Sequence, residues 1–266
     1  MYELQSLENA LADVEQRVAQ ASKSTKRLVS SLGAAAKSSA HGDLTALRRS
    51  LRDAMDNLKV AQVDIGNAIA AWSLDEESEQ DYFRSGRFTL ELKEAAAAAH
   101  LEIQEDEGQL MCYPSMLRID PTRRAVLIDK KPFRSVRPTV LVSHLRDVQN
   151  RPPRFKAAAF LEALYIAWDY ARHLNAGAHG LPKGVRVDRV YAALTIAPGS
   201  AKEYTKQEFG RDLYLLESSD VRITKKGARI HFSRATGTKT ASGIVSVVGE
   251  DGRQVLYSSI EFSEAV

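Results

Sequence analysis

A single cysteine, Cys112, is all that 266 residues offer. An intrachain disulfide is therefore impossible, and there is no cysteine cluster for structural zinc. Cys112 lies between Met111 and Tyr113 in an apolar stretch, the setting of a buried, unreactive thiol. No apolar run approaches the twenty or so residues that span a bilayer. Met1-Tyr2-Glu3-Leu4-Gln5 also lacks the basic-then-apolar order of a signal peptide, so a cytoplasmic protein with no membrane partner is expected. There is no phosphate loop ending in Gly-Lys-Ser/Thr, no Gly-x-Ser-x-Gly elbow and no His-Glu-x-x-His motif. The six histidines are scattered; His173 and His179 straddle an expected helix end at a spacing poor for a metal, and surface roles are expected for both.

What is present is the composition of a folded protein, 44% apolar and 27% charged. Charge is spread unevenly. Residues 1–106 carry 12 basic against 18 acidic side chains, residues 107–156 carry 11 against 4, and residues 183–239 carry 12 against 6. The two basic segments give an electrostatic footprint suited to phosphates.

From Leu4 onward, apolar or small residues recur in alternating steps of three and four through Leu7, Leu11, Val14, Val18, Ala21, Thr25, Leu28, Leu32 and Ala35. His41-Gly42 breaks the pattern, Asp43 is a good N-cap, and the stepping resumes through Leu44, Leu47, Leu51, Ala54, Leu58, Ala61, Ile65, Ala68 and Trp72. Two helices of similar length separated by a short break predict an antiparallel coiled-coil hairpin over residues 1–74, protruding and used to dock a protein partner or a second copy. The acidic, non-periodic run Ser73 to Asp81 is expected to be a boundary.

Beyond it, residues 82–180 are expected to form a mixed α/β core. Phe88 to Leu101, Thr139 to Val148 and Phe155 to Leu174 read as helices, the last of them central because it is apolar nearly all round. Gln109 to Ile119 and Ala125 to Asp129 read as a hairpin turning at Asp120-Pro121-Thr122-Arg123. A loop through Gly177, Gly180 and Gly184 leads to residues 185–266. There Val187 to Leu194 reads as a helix, Thr205 and Glu208 form a capping box for another, and Ile244 to Val248 pairs with Val255 to Phe262 across Gly249 to Gly252. The fold class expected is α+β.

Two layouts carry functional expectations. Helix, turn, helix and then a ribbon with the basic tip Lys225-Lys226-Gly227 make Asp188 to Phe232 resemble a winged helix, with Phe155 to Leu174 borrowed as the first helix. The resemblance implies a recognition helix from Thr205 to Leu216 that presents Lys206, Gln207, Arg211 and Tyr214, and a wing carrying Lys225, Lys226 and Arg229. It also implies a nucleic-acid partner, DNA ahead of RNA, and the chain as a non-catalytic subunit of a larger bacterial-type complex. Second, Pro114-Ser115 followed by Asp129-Lys130-Lys131 resembles, in degenerate form, the nuclease family marked by Pro-Asp and then Asp/Glu-x-Lys. That resemblance implies Mg²⁺ held by Asp129, with Lys131 on the same strand face, and only Glu91 or Glu94 on the preceding helix could supply a second ligand, Glu94 being preferred. Ser115 stands where that family has its metal-binding aspartate. A third possibility is a protein adaptor that touches no nucleic acid.

Overall fold

The computed structural model describes residues 6–106, 108–151, 155–174, 176, 180–235 and 243–264. His179 and Gly177 lie outside them. The described chain is α+β: a long helical hairpin, then antiparallel sheets with helices. It clusters into two compact units, one of residues 1–100, 119–126 and 132–143, the other of residues 101–118, 127–131 and 144–266.

In the first unit, α1 (Leu7–His41) starts on Ser6, whose hydroxyl accepts the Asn9 N–H, and stops at Gly42, which takes the left-handed conformation at φ 74°. Asp43 then caps α2 (Leu44–Ala70) by accepting the N–H groups of Thr45 and Ala46. The two-helix hairpin is thus as expected, and its contact line is so in part. Of the expected α1 positions, Leu7, Leu11, Val14, Ala21, Thr25, Leu28 and Ala35 are buried or half-buried, joined by Ser24 and Ser31; on α2 Leu47, Ala54, Ala61 and Ala68 are, joined by Ser50, Asn57 and Asp64. Steps of three and four persist, but polar residues take places expected of Leu32, Leu51, Leu58 and Ile65. Asn57 donates to the Ser31 hydroxyl at 2.9 Å across this line, and Gln20 to Asp64 at 3.3 Å. The helices meet on side chains short enough for close approach, and Leu32, Leu51, Leu58 and Ile65 are turned out beside them.

The run expected as a boundary is a helix. Asp75 accepts the Ser78 N–H and starts α3 (Glu76–Arg84), whose first turn holds Glu76, Glu77 and Glu79. Acidic residues there complement the positive end of the helix dipole, and burial of Tyr82 and Phe83 anchors the other end. After Gly86 follows α4 (Arg87–Ala98), with Phe88, Leu92 and Ala96 fully buried and the Phe83 and Phe88 rings 4.8 Å apart.

Five short strands, β1 (Gln104–Asp106), β2 (Gln109–Cys112), β3 (Ser115–Asp120), β4 (Ala125–Ile128) and β5 (Lys131–Phe133), lie side by side in chain order. Asp120 accepts the Arg123 N–H in the expected turn between β3 and β4. Helix α5 (Pro138–Gln149) follows.

The second unit holds the larger core. Central helix α6 (Ala157–Leu174) buries Leu161, Leu164, Ala167, Trp168 and Ala171. Next come β6 (Gly184–Arg186), α7 (Val187–Leu194), the single turn α8 (Ser200–Glu203), α9 (Lys206–Glu217), β7 (Ala228–Arg234), β8 (Val245–Val248) and β9 (Gln254–Glu264). The last sheet has the order β6-β9-β7, with β8 also pairing β9. Val245 to Val248 meet Tyr257 to Gln254 in antiparallel register across the expected turn. Phe209, Leu213 and Leu216 of α9 pack into this core with Tyr257 and Ile260 of β9. Cys112 is buried, and loss of hydration pushes its thiol up to about 11. Among the described residues no helix is long and apolar enough to cross a membrane.

Candidate interaction surfaces

Helix α9 carries most of the residues singled out for nucleic-acid contact, and local chemistry explains its position. The Thr205 hydroxyl accepts the Glu208 N–H at 3.2 Å while the Glu208 carboxylate accepts the Thr205 N–H at 2.8 Å, closing the capping box. Gly210 brings the helix against β8: a Cβ there would lie 2.8 Å from the Ser246 carbonyl oxygen and 3.0 Å from Val245. Only glycine permits so close an approach.

That seating covers much of the face expected to be open. Arg211 donates to Asp129 at 2.9 Å and to Asp212 at 3.3 Å, so its guanidinium is engaged on two sides. Tyr214 packs edge-on against Tyr113 with ring centroids 5.4 Å apart, and its hydroxyl accepts the Glu250 N–H at 3.1 Å. Gln207 is half-buried and Lys206 is exposed in the first turn. Of the four residues expected on the recognition helix, Lys206 alone stands fully out in solvent.

The basic tip lies elsewhere. Thr224 and Ala228 close the tight turn through Lys225-Lys226-Gly227, with Gly227 at φ 83°. The Lys225 N–H donates to Glu162 of α6 at 2.6 Å, and the Lys226 ammonium lies 6.0 Å from the Tyr165 ring centre. Lys225, Lys226 and Arg229 are exposed. The tip is thus seated on α6, while Lys206 opens α9.

A polar network that the sequence did not suggest surrounds the start of α9. Lys130 bridges to Glu208 at 2.7 Å and to the Glu203 carbonyl. Burial alone would raise the Glu208 carboxyl, but Lys130 and the Thr205 N–H outweigh it and hold the group below the ordinary carboxylate value. Tyr204 donates to Asp212 at 2.9 Å, and Tyr191 donates to the Tyr204 carbonyl at 2.7 Å. Burial raises Asp212 in spite of its Arg211 and Tyr204 partners. The network is internally paired and ties the start of α9 to its neighbours.

The metal layout is corrected by the backbone. Asp129 and Lys130 form the two-residue turn between β4 and β5, at φ 47° and 67°, so Asp129 and Lys131 do not share a strand face. Left-handed conformation at both positions is what such a turn requires. The Asp129 carboxylate is already occupied by the Met116 N–H at 3.2 Å and by Arg211. Ser115 is buried at the start of β3, Lys131 is exposed, and Glu94 is exposed on α4. Among the described residues no group of three or more His, Cys, Asp or Glu is placed to hold a metal ion.

The hairpin presents two different sides. On one, Arg27, Ser30, Ser31 and Ala34 of α1 and Asp53, Asp56 and Asn57 of α2 line a shallow polar groove of about 490 Å³. Away from it stand the displaced leucines: Leu32 is 49% exposed, Leu51 51%, Leu58 37% and Ile65 43%, whereas Ala61 on the contact line is 2% exposed. The 3–4 pattern named these residues, but it placed them inside.

Comparison with protein-family models, curated proteins and solved structures finds no match.

Proposed function

We propose that this chain is a non-catalytic assembly subunit whose hairpin is a protein-docking arm of antiparallel coiled-coil type. The row of large apolar side chains left in water along α1 and α2 carries this reading. A hairpin that needed only its own two helices would bury its leucines and expose its serines; here Ser24 is buried and Leu51 exposed. The paired polar network at α9 and the occupied Asp129 carboxylate favour a structural over a catalytic role for that region. The test is a photo-reactive residue in place of Leu58 in the full chain, expressed in its own cells. Protein adducts are expected there and not at Val63, which is exposed on the far side of α2. Absence of adducts at Leu58 overturns the reading.

A second reading keeps nucleic acid as a partner. The succession α6, β6, α7, α9, β7, β9 with sheet order β6-β9-β7 supports a winged-helix-like module. With α9 largely seated, any phosphate contact would fall to the exposed Lys206, Lys225, Lys226 and Arg229. DNA remains ahead of RNA on this layout alone.

A further inference from the structure

The exposed apolar residues of the two helices belong to one surface. At 100° per residue, Leu32 lies roughly 90° and Val18 roughly 130° around α1 from the contact line through Ser24 and Ser31, and Leu51, Leu58 and Ile65 lie roughly 50–90° around α2 from Ala54 and Asn57, in the same rotational sense. In an antiparallel pair, the same sense of rotation on each helix turns to the same side. The polar groove gives an independent check, because residues rotated the opposite way on both helices do line one common groove. From the level of Ile69 up to Leu44 the apolar side runs about 38 Å and carries no charged residue along its middle.

We infer that this side is closed by a second copy of the chain, whose hairpin lies against the first to form a four-helix bundle. The inference rests on the docking-arm reading and names the occupant. Two observations select a second copy. The missing partner must supply two antiparallel helices with a 3–4 apolar repeat of this length, and the chain carries that surface itself, as a two-fold interface requires. The exposed parts of the apolar side chains offer on the order of 800 Å², the area per partner of a standard stable interface.

The test is light scattering and sedimentation of the purified full chain, expected at twice its 29.4 kDa mass. Leu51→Glu with Ile65→Glu should raise the dimer dissociation constant about a hundredfold or more, since a carboxylate would be buried without a partner. Val63→Glu, on the far side, should leave it unchanged. A monomeric wild-type chain, or a dimer indifferent to the paired glutamates while the helix content is intact, would overturn the inference. Monomeric protein together with Leu58 adducts to other proteins would overturn it while leaving the docking arm standing.

Discussion

The carboxylate of Glu91 caps a helix that begins 84 residues earlier: it accepts the N–H of Leu7 at 2.9 Å, and its other oxygen takes the neighbouring Glu8 N–H at 2.8 Å. The Tyr82 hydroxyl donates to the same group. One side chain thus fastens the root of the arm to α4 by satisfying donors that a helix start leaves open. Glu91→Ala should cost about 1–2 kcal/mol. Amide exchange in the first turn of α1 should quicken more than that of α9, and equal protection in both proteins would show the cap to be idle.

Acid should loosen the same root. Burial alone would lift the Glu8 carboxyl, but Arg137 at 2.6 Å and the Thr139 N–H at 3.0 Å outweigh it and hold it below the ordinary value. A depressed carboxylate stabilises the fold above its unfolded pKa, and that contribution is lost as pH falls through the folded value. Glu8→Gln should therefore lower the urea midpoint at neutral pH and make it fall less on acidification. Asp212, raised by burial, has the opposite sign, so Asp212→Asn should steepen the acid loss. Urea melts across the acid range decide both, and a Glu8→Gln protein with the wild-type pH slope refutes the first.

Gly210→Ala poses two effects of opposite sign. Alanine favours a helix over glycine by up to about 1 kcal/mol. The new methyl, however, would meet the Ser246 carbonyl at 2.8 Å, and backbone does not step aside cheaply. The clash wins, with a net loss of about 1–3 kcal/mol expected from thermal melts. Stabilisation instead would mean that β8 yields.

For nucleic acid, neutralising Lys206, Lys225, Lys226 and Arg229 should flatten the salt dependence of any binding by roughly 0.7 to 0.9 for each phosphate that is no longer neutralised. Arg211→Gln should not, because its guanidinium is spent on Asp129 and Asp212. A control set of Arg134, Arg137 and Arg151 includes one residue already paired, Arg137 with Glu8 and Glu15; Arg154 lies outside the described residues. Filter binding across a salt series separates these cases, and an unchanged slope in the four-residue variant removes the second reading.

The sequence announced those elements whose signals are local. Gly42 and Asp43 marked the hairpin turn, Thr205 and Glu208 the start of α9, and the Gly249 to Gly252 turn the β8–β9 pair, because each is fixed by a few neighbouring bonds. The contact line was legible in period but not in phase. Two interlocked 3–4 series share Ala54 and Ala61, and choosing between Leu58 and Asn57 depends on what lies across, such as Ser31. Acidity disguised α3, since glutamates that look like a linker also suit a first turn. Asp129 was misplaced because a non-glycine pair at positive φ leaves no composition signal. The coverage of Arg211 and Tyr214 depends on partners 82 and 36 residues away, which no periodicity reports.

The first unit is drawn from three separate stretches, residues 1–100, 119–126 and 132–143, and the second fills the intervals and the remainder. Such interleaving means that neither unit corresponds to a contiguous length of gene. Recombination could not transplant one as a cassette, and a protease would have to cut at several places before either came free. A series of deletions from one end would enter the second unit before the first had been wholly removed. The unit of inheritance, and of expression in the laboratory, is therefore the whole stretch over which the two are threaded.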